Sequence, residues 1–361
     1  MPQIDQFLKL LVQHGGSDLH LSCGSPPVMR VHGHLQRIKF RDLAAADMQT
    51  LVFEILRPDQ KEKYDATRDL DFAYEIPGTA RFRGNVFMQH RGMGAVFRVI
   101  PSKVLSADDL KLPEAIRAFT RLNKGLVLVT GPTGSGKSTT LAAMIDLINE
   151  TRPEHILTVE DPIEFVHPNK KALVNQREVG PHTQSFASAL KAALREDPDV
   201  ILVGEMRDRE TISLGLTAAE TGHLVFGTLH TNSAHKTVDR IIDTFPADQQ
   251  EQVRAMLSES LRGVVAQQLL RKKGGSGRAA AHEILVGTPA IANMIREGKT
   301  FQIPSLIQTG KKDGMIQMDQ SILALLMSGQ VDAEEAFAKA HDKGMFKQYL
   351  DKSDMQRAQT A

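Results

Sequence analysis

Residues 125–140 read GLVLVTGPTGSGKSTT, and this stretch decides the fold of the second half of the chain. The apolar run Leu126–Val129 predicts a buried strand, and the GxxxxGK[ST] spacing from Gly131 to Ser138 is the phosphate-binding P-loop pattern. Glycines let the backbone wrap around an anion so that successive N–H groups point at its oxygens. The helix that follows, predicted to begin at Ser138 or Thr139, adds the positive end of its dipole. The stretch therefore predicts a nucleotide-binding site.

The predicted nucleotide-binding residues of this stretch are Thr133, Gly134, Ser135, Gly136, Lys137, Ser138 and Thr139. The Lys137 ammonium supplies a positive charge for the β- and γ-phosphates, and the Ser138 hydroxyl is placed to bind Mg²⁺. Mg²⁺ is therefore the predicted cofactor. A Gly/Ser-rich loop can match the pattern by accident, but the strand before it and the helix after it favour a P-loop.

Acidic residues follow two further apolar runs. The run Ile156–Val159 is followed by acids that include Glu160 and Glu164, and the run Val200–Val203 is followed by Glu205. Ligands bind beyond the carboxyl ends of the strands in α/β sheets. An acid after a second core strand behind a P-loop holds Mg²⁺ directly or through water, so we predict that Glu205 shares the Mg²⁺ with the P-loop serine.

His223 and His230 flank a fourth apolar run, LVFGTL. Histidines at strand ends are more often structural hydrogen bonders, but His230 falls where a γ-phosphate sensor is expected in such a sheet. His20, His32 and His34 lie along alternating strand sequences, in which polar residues face solvent. We predict no metal site from these three histidines.

The first hundred residues predict a separate α+β domain. A helical stripe from Ile4 to Val12 is followed by alternating segments at 17–22 and 28–38, helical spacing at 42–64, and strands at 69–76, 80–89 and 95–100. Arg81 and Arg83 are two residues apart on one strand and therefore share a face. Such arginines are either solvated or present cations to an anionic partner.

A linker is predicted at 101–113, because this segment carries prolines, mixed charge and little periodicity. The second domain, at 114–361, is predicted to be an α/β P-loop domain with a C-terminal helical segment at about 288–361. Within it we predict one long helix from Asp248 to Leu270, a short strand at 280–286 and a frayed tail at 351–361.

The composition is that of an ordinary globular protein, with 41% hydrophobic and 24% charged residues in a chain of 361. A formal net charge of +1 argues against nucleic acid as the main partner, because phosphate-backbone binders carry a basic excess. The single cysteine, Cys23, excludes an intrachain disulfide and a cysteine-rich zinc site. No signal peptide or bilayer-spanning run is predicted, so we expect a cytoplasmic protein.

Four motifs of the second domain resemble those of the type II and type IV secretion ATPases and occur in the same order. They read GPTGSGKST, ILTVEDPIEFVH, DPDVILVGEMRD and TAAETGHLVFGTLHTNSA. Within that family the chain is most similar to the type IV pilus retraction ATPases, a group that its SDLHL and AIANMIREGK segments also fit. The resemblance covers nearly the whole chain.

The resemblance implies a homohexameric ring whose subunits carry an N-terminal PAS-like domain followed by a RecA-like ATPase domain. ATP would lie between the two domains, and its hydrolysis would drive the domain motion that powers pilus retraction and twitching motility. The implied partners are other copies of the chain and the cytoplasmic face of the inner-membrane platform protein. Peripheral association with the inner membrane follows from the second partner, and no nucleic-acid partner is implied.

The resemblance also assigns roles to individual residues. Glu164 resembles the general base that orients water, and Glu205 resembles the Walker B partner of the metal. His223 and His230 match the histidine box, with His223 assigned to nucleotide binding and His230 to catalysis. The two arginines of the 80–89 strand match the region whose side chains reach a neighbouring subunit's phosphates, which makes them catalytic candidates as well.

Two departures bear on the choice within the family. The family's AIRN segment reads Ala290-Ile291-Ala292-Asn293 here, so partner contact through this helix is less secure than the ATPase assignment. Extension motors carry a longer N-terminal region and a four-cysteine zinc site, which one cysteine cannot supply. The sequence therefore favours retraction. The alternatives within the family are the accessory paralogue of the retraction motor and the type II secretion or pilus-assembly ATPases.

Other classes remain as alternatives. A P-loop kinase would need an acceptor, and no separate acceptor domain is evident. A nucleic-acid translocase is disfavoured by the near-neutral charge. A ring that binds nucleotide without hydrolysing it is disfavoured by the presence of both Glu164 and Glu205.

Overall fold

The computed structural model describes residues 2–31, 33–100, 104–275 and 277–350, and it divides into two compact units. The first unit comprises Met1–Lys103 with Pro162–Val166, and the second comprises Val104–Asp161 with His167–Ala361. Residues 104–113 thus group with the second unit, and residues 162–166 with the first, whereas the sequence predicts a linker at 101–113 and an uninterrupted domain at 114–361. His32, residues 101–103 of the predicted linker and the predicted tail at 351–361 lie outside the described residues.

The described part of the first unit is an antiparallel sheet with helices packed on one face. Its strands are β1 (Asp18–Ser22), β2 (Val28–Val31), β3 (His34–Arg37), β4 (Asp69–Ile76), β5 (Ala80–Gln89) and β6 (Gly92–Ile100), and its helices are α1 (Ile4–Gln13), α2 (Ala45–Phe53) and α3 (Pro58–Thr67). The strand order is β3-β2-β1-β6-β5-β4. Ile4, Leu8 and Leu11 of α1 are fully buried, so one stripe of this helix enters the core, as predicted.

The described part of the second unit is built on a mostly parallel sheet in the order β13-β12-β7-β11-β10-β8-β9. Only β13, among these strands, pairs antiparallel with its neighbour. The strands are β7 (Gly125–Thr130), β8 (His155–Glu160), β9 (Leu173–Glu178), β10 (Val200–Val203), β11 (Leu224–Leu229), β12 (Leu261–Arg271) and β13 (Arg278–Val286).

Helices cover both faces of this sheet. They are α4 (Glu114–Phe119), α5 (Lys137–Thr151), α6 (Phe186–Ala193), α7 (Arg209–Glu220), α8 (Ala234–Asp243), α9 (Gln250–Ser260), α10 (Pro289–Arg296), α11 (Ile303–Thr309), α12 (Met318–Met327), α13 (Ala333–Lys339) and α14 (Lys343–Phe346), with 3-10 turns at Thr300–Gln302, Gly310–Asp313 and Lys347–Tyr349. The last five helices fall in the predicted C-terminal helical segment. No helix in the described ranges is long and apolar enough to cross a bilayer.

The strand that leads into the P-loop is buried on both faces. Leu126 and Leu128 of β7 join the hydrophobic cluster that includes α7, α8 and α9, whereas Val127 and Val129 join the cluster that includes α5. Burying each such side chain contributes about 1.5–3 kcal/mol. A strand covered on both faces reads as a continuous apolar run, which is why the sequence predicts β7 correctly.

The long helix predicted from Asp248 to Leu270 is wrong. The structure ends α9 at Ser260 and continues as β12, which pairs with β7 on one side and β13 on the other. The segment LRGVVAQQLLR is apolar, includes adjacent β-branched valines and is buried in the sheet. Its sequence pattern is therefore compatible with a central strand as well as with a helix. This correction places β12 directly beside the strand that carries the P-loop.

Two smaller differences concern strands. The segment at 28–38 is a hairpin of β2 and β3 rather than one strand, and it turns near Gly33, whose φ is 85°. Strand β9 was not predicted, because LVNQRE at the sheet edge is half-exposed and carries no apolar run. The predicted strands at 69–76 and 80–89 are confirmed, and that at 95–100 begins earlier, at Gly92.

His282 is a histidine held neutral inside the second unit. It lies on β13 and is 5% exposed, and its Nε2 has no hydrogen-bond partner within the described residues. Burial lowers its pKa from 6.5 to about 4. Between these two pH values the unfolded chain binds a proton that the folded chain does not, so the free energy of unfolding falls as the pH falls through this window.

We expect this histidine to destabilise the protein by about 3 kcal/mol once the pH has fallen through both pKa values. Replacing it, as His282→Leu, removes the proton-binding group and should flatten the loss of stability between pH 6.5 and 4. Urea unfolding at intervals across that window measures the effect, with His34→Gln at an exposed position as the control. An unchanged pH dependence in His282→Leu would contradict the prediction.

Candidate nucleotide site

The P-loop, Glu205 and His230 lie at one edge of the second unit's sheet. Strands β7, β11, β10 and β8 are parallel neighbours, and Thr130 at the end of β7 pairs with Leu229 at the end of β11. The P-loop follows β7, His230 follows β11, and Glu205 follows β10. The carboxyl ends of parallel strands meet at the same edge, so the sheet brings these groups together.

The P-loop backbone adopts conformations that favour glycine at three positions. Gly131, Gly134 and Gly136 have φ values of 143°, 78° and 88°, which L side chains rarely adopt. A Cβ at Gly134 would meet no atom within 4 Å, so the tip of the loop is open. Lys137 is the first residue of α5, and its Nζ donates to the carbonyl oxygens of Gly131 at 2.9 Å and Pro132 at 3.1 Å. The lysine charge thus lies over the loop itself.

The other predicted loop residues differ in exposure. Thr133 is exposed at the loop tip, whereas Ser138 and Thr139 are half-buried in the first turn of α5. Ser135 is 3% exposed, and its Oγ has no hydrogen-bond partner within the described ranges. The Ser138 hydroxyl and the Glu205 carboxylate are hard oxygen donors at the same sheet edge, and this donor set fits Mg²⁺ together with phosphate oxygens.

Glu205 is fixed by backbone hydrogen bonds on both sides. The Gly204 N–H donates to Val159 O at 2.7 Å, and the Met206 N–H donates to Thr228 O at 3.0 Å. The carboxylate of Glu205 therefore projects from a segment pinned between β8 and β11. Such fixation is what a metal partner needs, because its position does not have to be organised when the ligand arrives.

The carboxylate of Glu205 contacts an arginine and a histidine. His230 Nε2 lies 2.8 Å from Glu205 Oε1, and the Arg207 guanidinium forms a second ion pair with the same oxygen. Burial acts to raise the pKa of Glu205, but Arg207 and His230 outweigh it and hold the pKa below its usual range. The structure therefore brings the predicted Glu205 and His230 together, and it adds Arg207, which the sequence reasoning missed although it lies in the same motif.

Glu164 lies on the segment Pro162–Val166, which groups with the first unit. Its side chain is half-buried and makes no hydrogen bond or ion pair with any described residue. The two flanks of the segment belong to the second unit and are bridged by Gln176 of β9. Gln176 Nε2 donates to Glu160 Oε1 at 3.2 Å, and Gln176 Oε1 accepts from the His167 N–H at 2.7 Å. Gln176 was missed because β9 was missed.

The two candidate arginines lie on β5 of the first unit. Alternating burial along β5 confirms that Arg81 and Arg83 share the face away from the helices. The register pairs Arg83 with Arg98 of β6, and Arg98 in turn pairs with Asp18 of β1, to which it donates at 2.8 Å. Arg98 was not predicted, since only the register shows that it extends the cationic row. The face therefore presents Arg81 and Arg83, whereas the charge of Arg98 is balanced by Asp18.

His223 does not lie at the edge of the sheet that carries the P-loop, Glu205 and His230. It precedes β11, and its carbonyl accepts from Gly125 N at the start of β7, so it lies at the amino-terminal edge of the sheet. The six residues of β11 separate it from His230 by about 20 Å. Its Nδ1 lies 3.0 Å from Ala218 O. Nucleotide binding by His223 stays a prediction that this position does not support.

No group of three or more His, Cys, Asp or Glu side chains arranged to hold a metal occurs in the described ranges. The predicted Mg²⁺ site therefore depends on Ser138, Glu205 and oxygens of the nucleotide. His20 and His34 belong to no such group.

Comparison with known proteins identifies the family to which this chain belongs. A family model described as type II/IV secretion system protein matches residues 1–338. The chain belongs to this family. Among the type II/IV secretion system proteins similar to it is the type IV pilus retraction ATPase PilT of Pseudomonas aeruginosa, which is 56% identical over 337 residues, or 93% of this chain and 98% of that protein.

Two further proteins are similar to this chain over most of their length. A twitching motility protein of Neisseria gonorrhoeae is 57% identical over 316 residues, covering 88% of this chain and 84% of that protein. The crystal structure of the pilus retraction motor PilT with bound ADP superposes with a TM-score of 0.88 at 46% identity, covering 96% of this chain and 98% of that one. The mixed α/β fold is thus that of a secretion ATPase.

Proposed function

We propose that the chain is an ATP-hydrolysing motor that powers retraction of type IV pili and thereby twitching motility. The observation that carries this proposal is a sheet edge that bears the P-loop, Lys137 and Glu205, in a chain that matches a retraction ATPase along 98% of that protein's length. The bound ADP in a structure 46% identical supports the use of ATP as substrate.

In the proposed mechanism, the chain's own residues act by positioning and charge. Lys137 binds the β- and γ-phosphates, and Glu164 orients the attacking water in line with the γ-phosphorus. Ser138 and Glu205 would hold Mg²⁺, which would supply positive charge to the transferred phosphoryl group. His230 lies beside Glu205 and senses the γ-phosphate from the end of β11. No covalent intermediate is needed.

We further propose a homohexameric ring in which each site is completed by Arg81 and Arg83 of a neighbouring subunit. Their cationic face lies on the first unit, for which we propose a PAS-like fold, and the P-loop lies on the second, for which we propose a RecA-like fold. Loss of the γ-phosphate removes contacts that favour closure and so biases a two-state domain motion. The motor then acts from the cytoplasm on the inner-membrane platform protein of the pilus.

Two other classes of function make different predictions for the purified protein. A P-loop kinase would consume ATP only in the presence of an acceptor, whereas a motor hydrolyses it alone. A nucleic-acid translocase would bind DNA with an affinity that falls steeply as salt rises. The net charge of +1 disfavours the translocase.

Deletion of the gene in its host tests the proposed function. We expect cells that carry more surface pili and do not twitch, because filaments are still built but are no longer withdrawn. Expression of the wild-type chain should restore twitching, and expression of Lys137→Met should not. Cells without pili would contradict retraction in favour of extension, and normally twitching cells would favour the accessory paralogue.

A further inference from the structure

We infer that Gln267 of β12 is a positioning residue for the P-loop, which it orients by joining the loop to the first turns of α5. This inference rests on the proposed nucleotide-binding function. Gln267 is 3% exposed and lies on the strand beside β7. It lies outside the four motifs that carry the family resemblance, and it is 132 residues away in sequence from one of its partners and 127 from the other.

The side-chain amide of Gln267 makes two short hydrogen bonds in the core. Its Nε2 donates to Ser135 O at 2.7 Å, and its Oε1 accepts from Thr140 Oγ1 at 2.7 Å. Ser135 lies in the loop and Thr140 in the first turns of α5. One amide therefore joins the loop to the helix whose N-terminus faces the phosphates.

The bond to the Ser135 carbonyl has a consequence for the nucleotide. In a trans peptide the C=O and N–H groups point in opposite directions. Because the Ser135 carbonyl points at Gln267, the N–H of Gly136 points away from β12. That N–H donates to no described residue, so it remains for a phosphate oxygen. Gln267 thus sets the direction of a phosphate-binding donor without touching the nucleotide.

The same strand explains why the first and last glycines of the motif lack side chains. A Cβ at Gly131 would lie 2.2 Å from the backbone oxygen of Gln267, and a Cβ at Gly136 would lie 2.8 Å from its Nε2. Real Cβ atoms do not approach other atoms this closely. The two glycines therefore let the loop lie close enough to β12 for the amide to reach it.

The test replaces Gln267 by methionine, which keeps the length and apolar volume but makes neither hydrogen bond. Gln268→Met is the matched control, because Gln268 is the next residue on β12 and therefore points to the opposite face of the sheet. The readout is the dissociation constant of Mg·ADP for the full-length protein, measured by calorimetry, together with the melting temperature without nucleotide. We expect Gln267→Met to weaken ADP binding about tenfold, as loss of a buried hydrogen-bond partner implies, and Gln268→Met to leave it unchanged.

A second variant, Thr140→Val, removes only the bond to the helix. It should weaken ADP binding by less than Gln267→Met, and the double variant should be no weaker than Gln267→Met alone, because one amide makes both bonds. If Gln267→Met does not fold, Thr140→Val decides by itself, and wild-type affinity in that variant contradicts the inference. A Gln267→Met protein that melts at a lower temperature but binds ADP normally shows a purely structural role and overturns it. A wild-type protein that binds no ADP instead overturns the proposed function, and the inference with it.

Discussion

Glu164→Gln is expected to lower the turnover number for ATP about a thousandfold, because a positioned general base contributes 10²–10⁴ to such a step. The amide keeps the size of the side chain but cannot accept a proton from the attacking water. Glu164 lies outside the P-loop and binds no phosphate in the proposed mechanism, so the dissociation constant of ATP should stay within about twofold of the wild-type value. Phosphate release and equilibrium nucleotide binding measure the two quantities separately.

Glu150→Gln is a suitable control for this substitution. Glu150 is an exposed carboxylate near the end of α5 that forms an ion pair with Lys170, so it tests the loss of one negative charge from the second unit. We expect its turnover to equal that of the wild type. A Glu164→Gln protein that hydrolyses ATP near the wild-type rate would remove Glu164 from the role of general base and leave the site without an identified one.

Mixing two inactive variants is expected to restore ATP hydrolysis. Lys137→Met removes the cation that binds the phosphates within one subunit. Arg83→Ala removes the cation that a neighbouring subunit contributes to the same site. Each should lower kcat/KM about 10²–10³-fold, the usual cost of one donor that stabilises developing charge. In a randomly mixed ring, about a quarter of the head-to-tail interfaces join an intact P-loop to an intact Arg83, so activity should return to about a quarter of the wild-type rate.

The control for this experiment is the mixture of either variant with itself, which has no intact interface and should stay inactive. Subunit exchange is verified by mixing differently tagged wild-type chains. If the mixed variants exchange subunits and remain inactive, the site is contained within one chain. A strictly monomeric preparation with full activity would lead to the same conclusion by another route.

The sheet edge that carries the P-loop, Glu205 and His230 could be predicted from sequence, because the patterns that indicate it lie within short stretches of the chain. The P-loop pattern spans eight residues, and β7, β10 and β11 are short apolar runs bounded by turns. His230 directly follows β11, and Glu205 follows β10 after a single glycine. The topology of a parallel sheet then brings their ends together without further information.

The elements and residues that the sequence did not predict correctly depend on contacts with residues distant in sequence. β12 was read as helix because a buried apolar run gives no periodicity that separates strand from helix. β9 pairs on one side only and needs little apolar surface, so LVNQRE has no apolar run that would predict a strand. Gln176 and Gln267 are ordinary polar residues in sequence. Their hydrogen bonds depend on the pairing of β9 with β8 and of β12 with β7, which the sequence does not indicate.

The bridge formed by Gln176 has a consequence for the loop that carries Glu164. One side chain joins the strand end at Glu160 to the backbone at His167, so the chain leaves and rejoins the second unit at points already fixed. Closing a loop of different length between fixed points costs only about 0.6 kcal/mol for each doubling of its length. A change in the length of this loop therefore costs the second unit little closure entropy, whereas the buried side chains of Ile163 and Phe165 still require apolar partners. The proposed general base, Glu164, therefore lies on a loop whose two ends are held in place by one side chain.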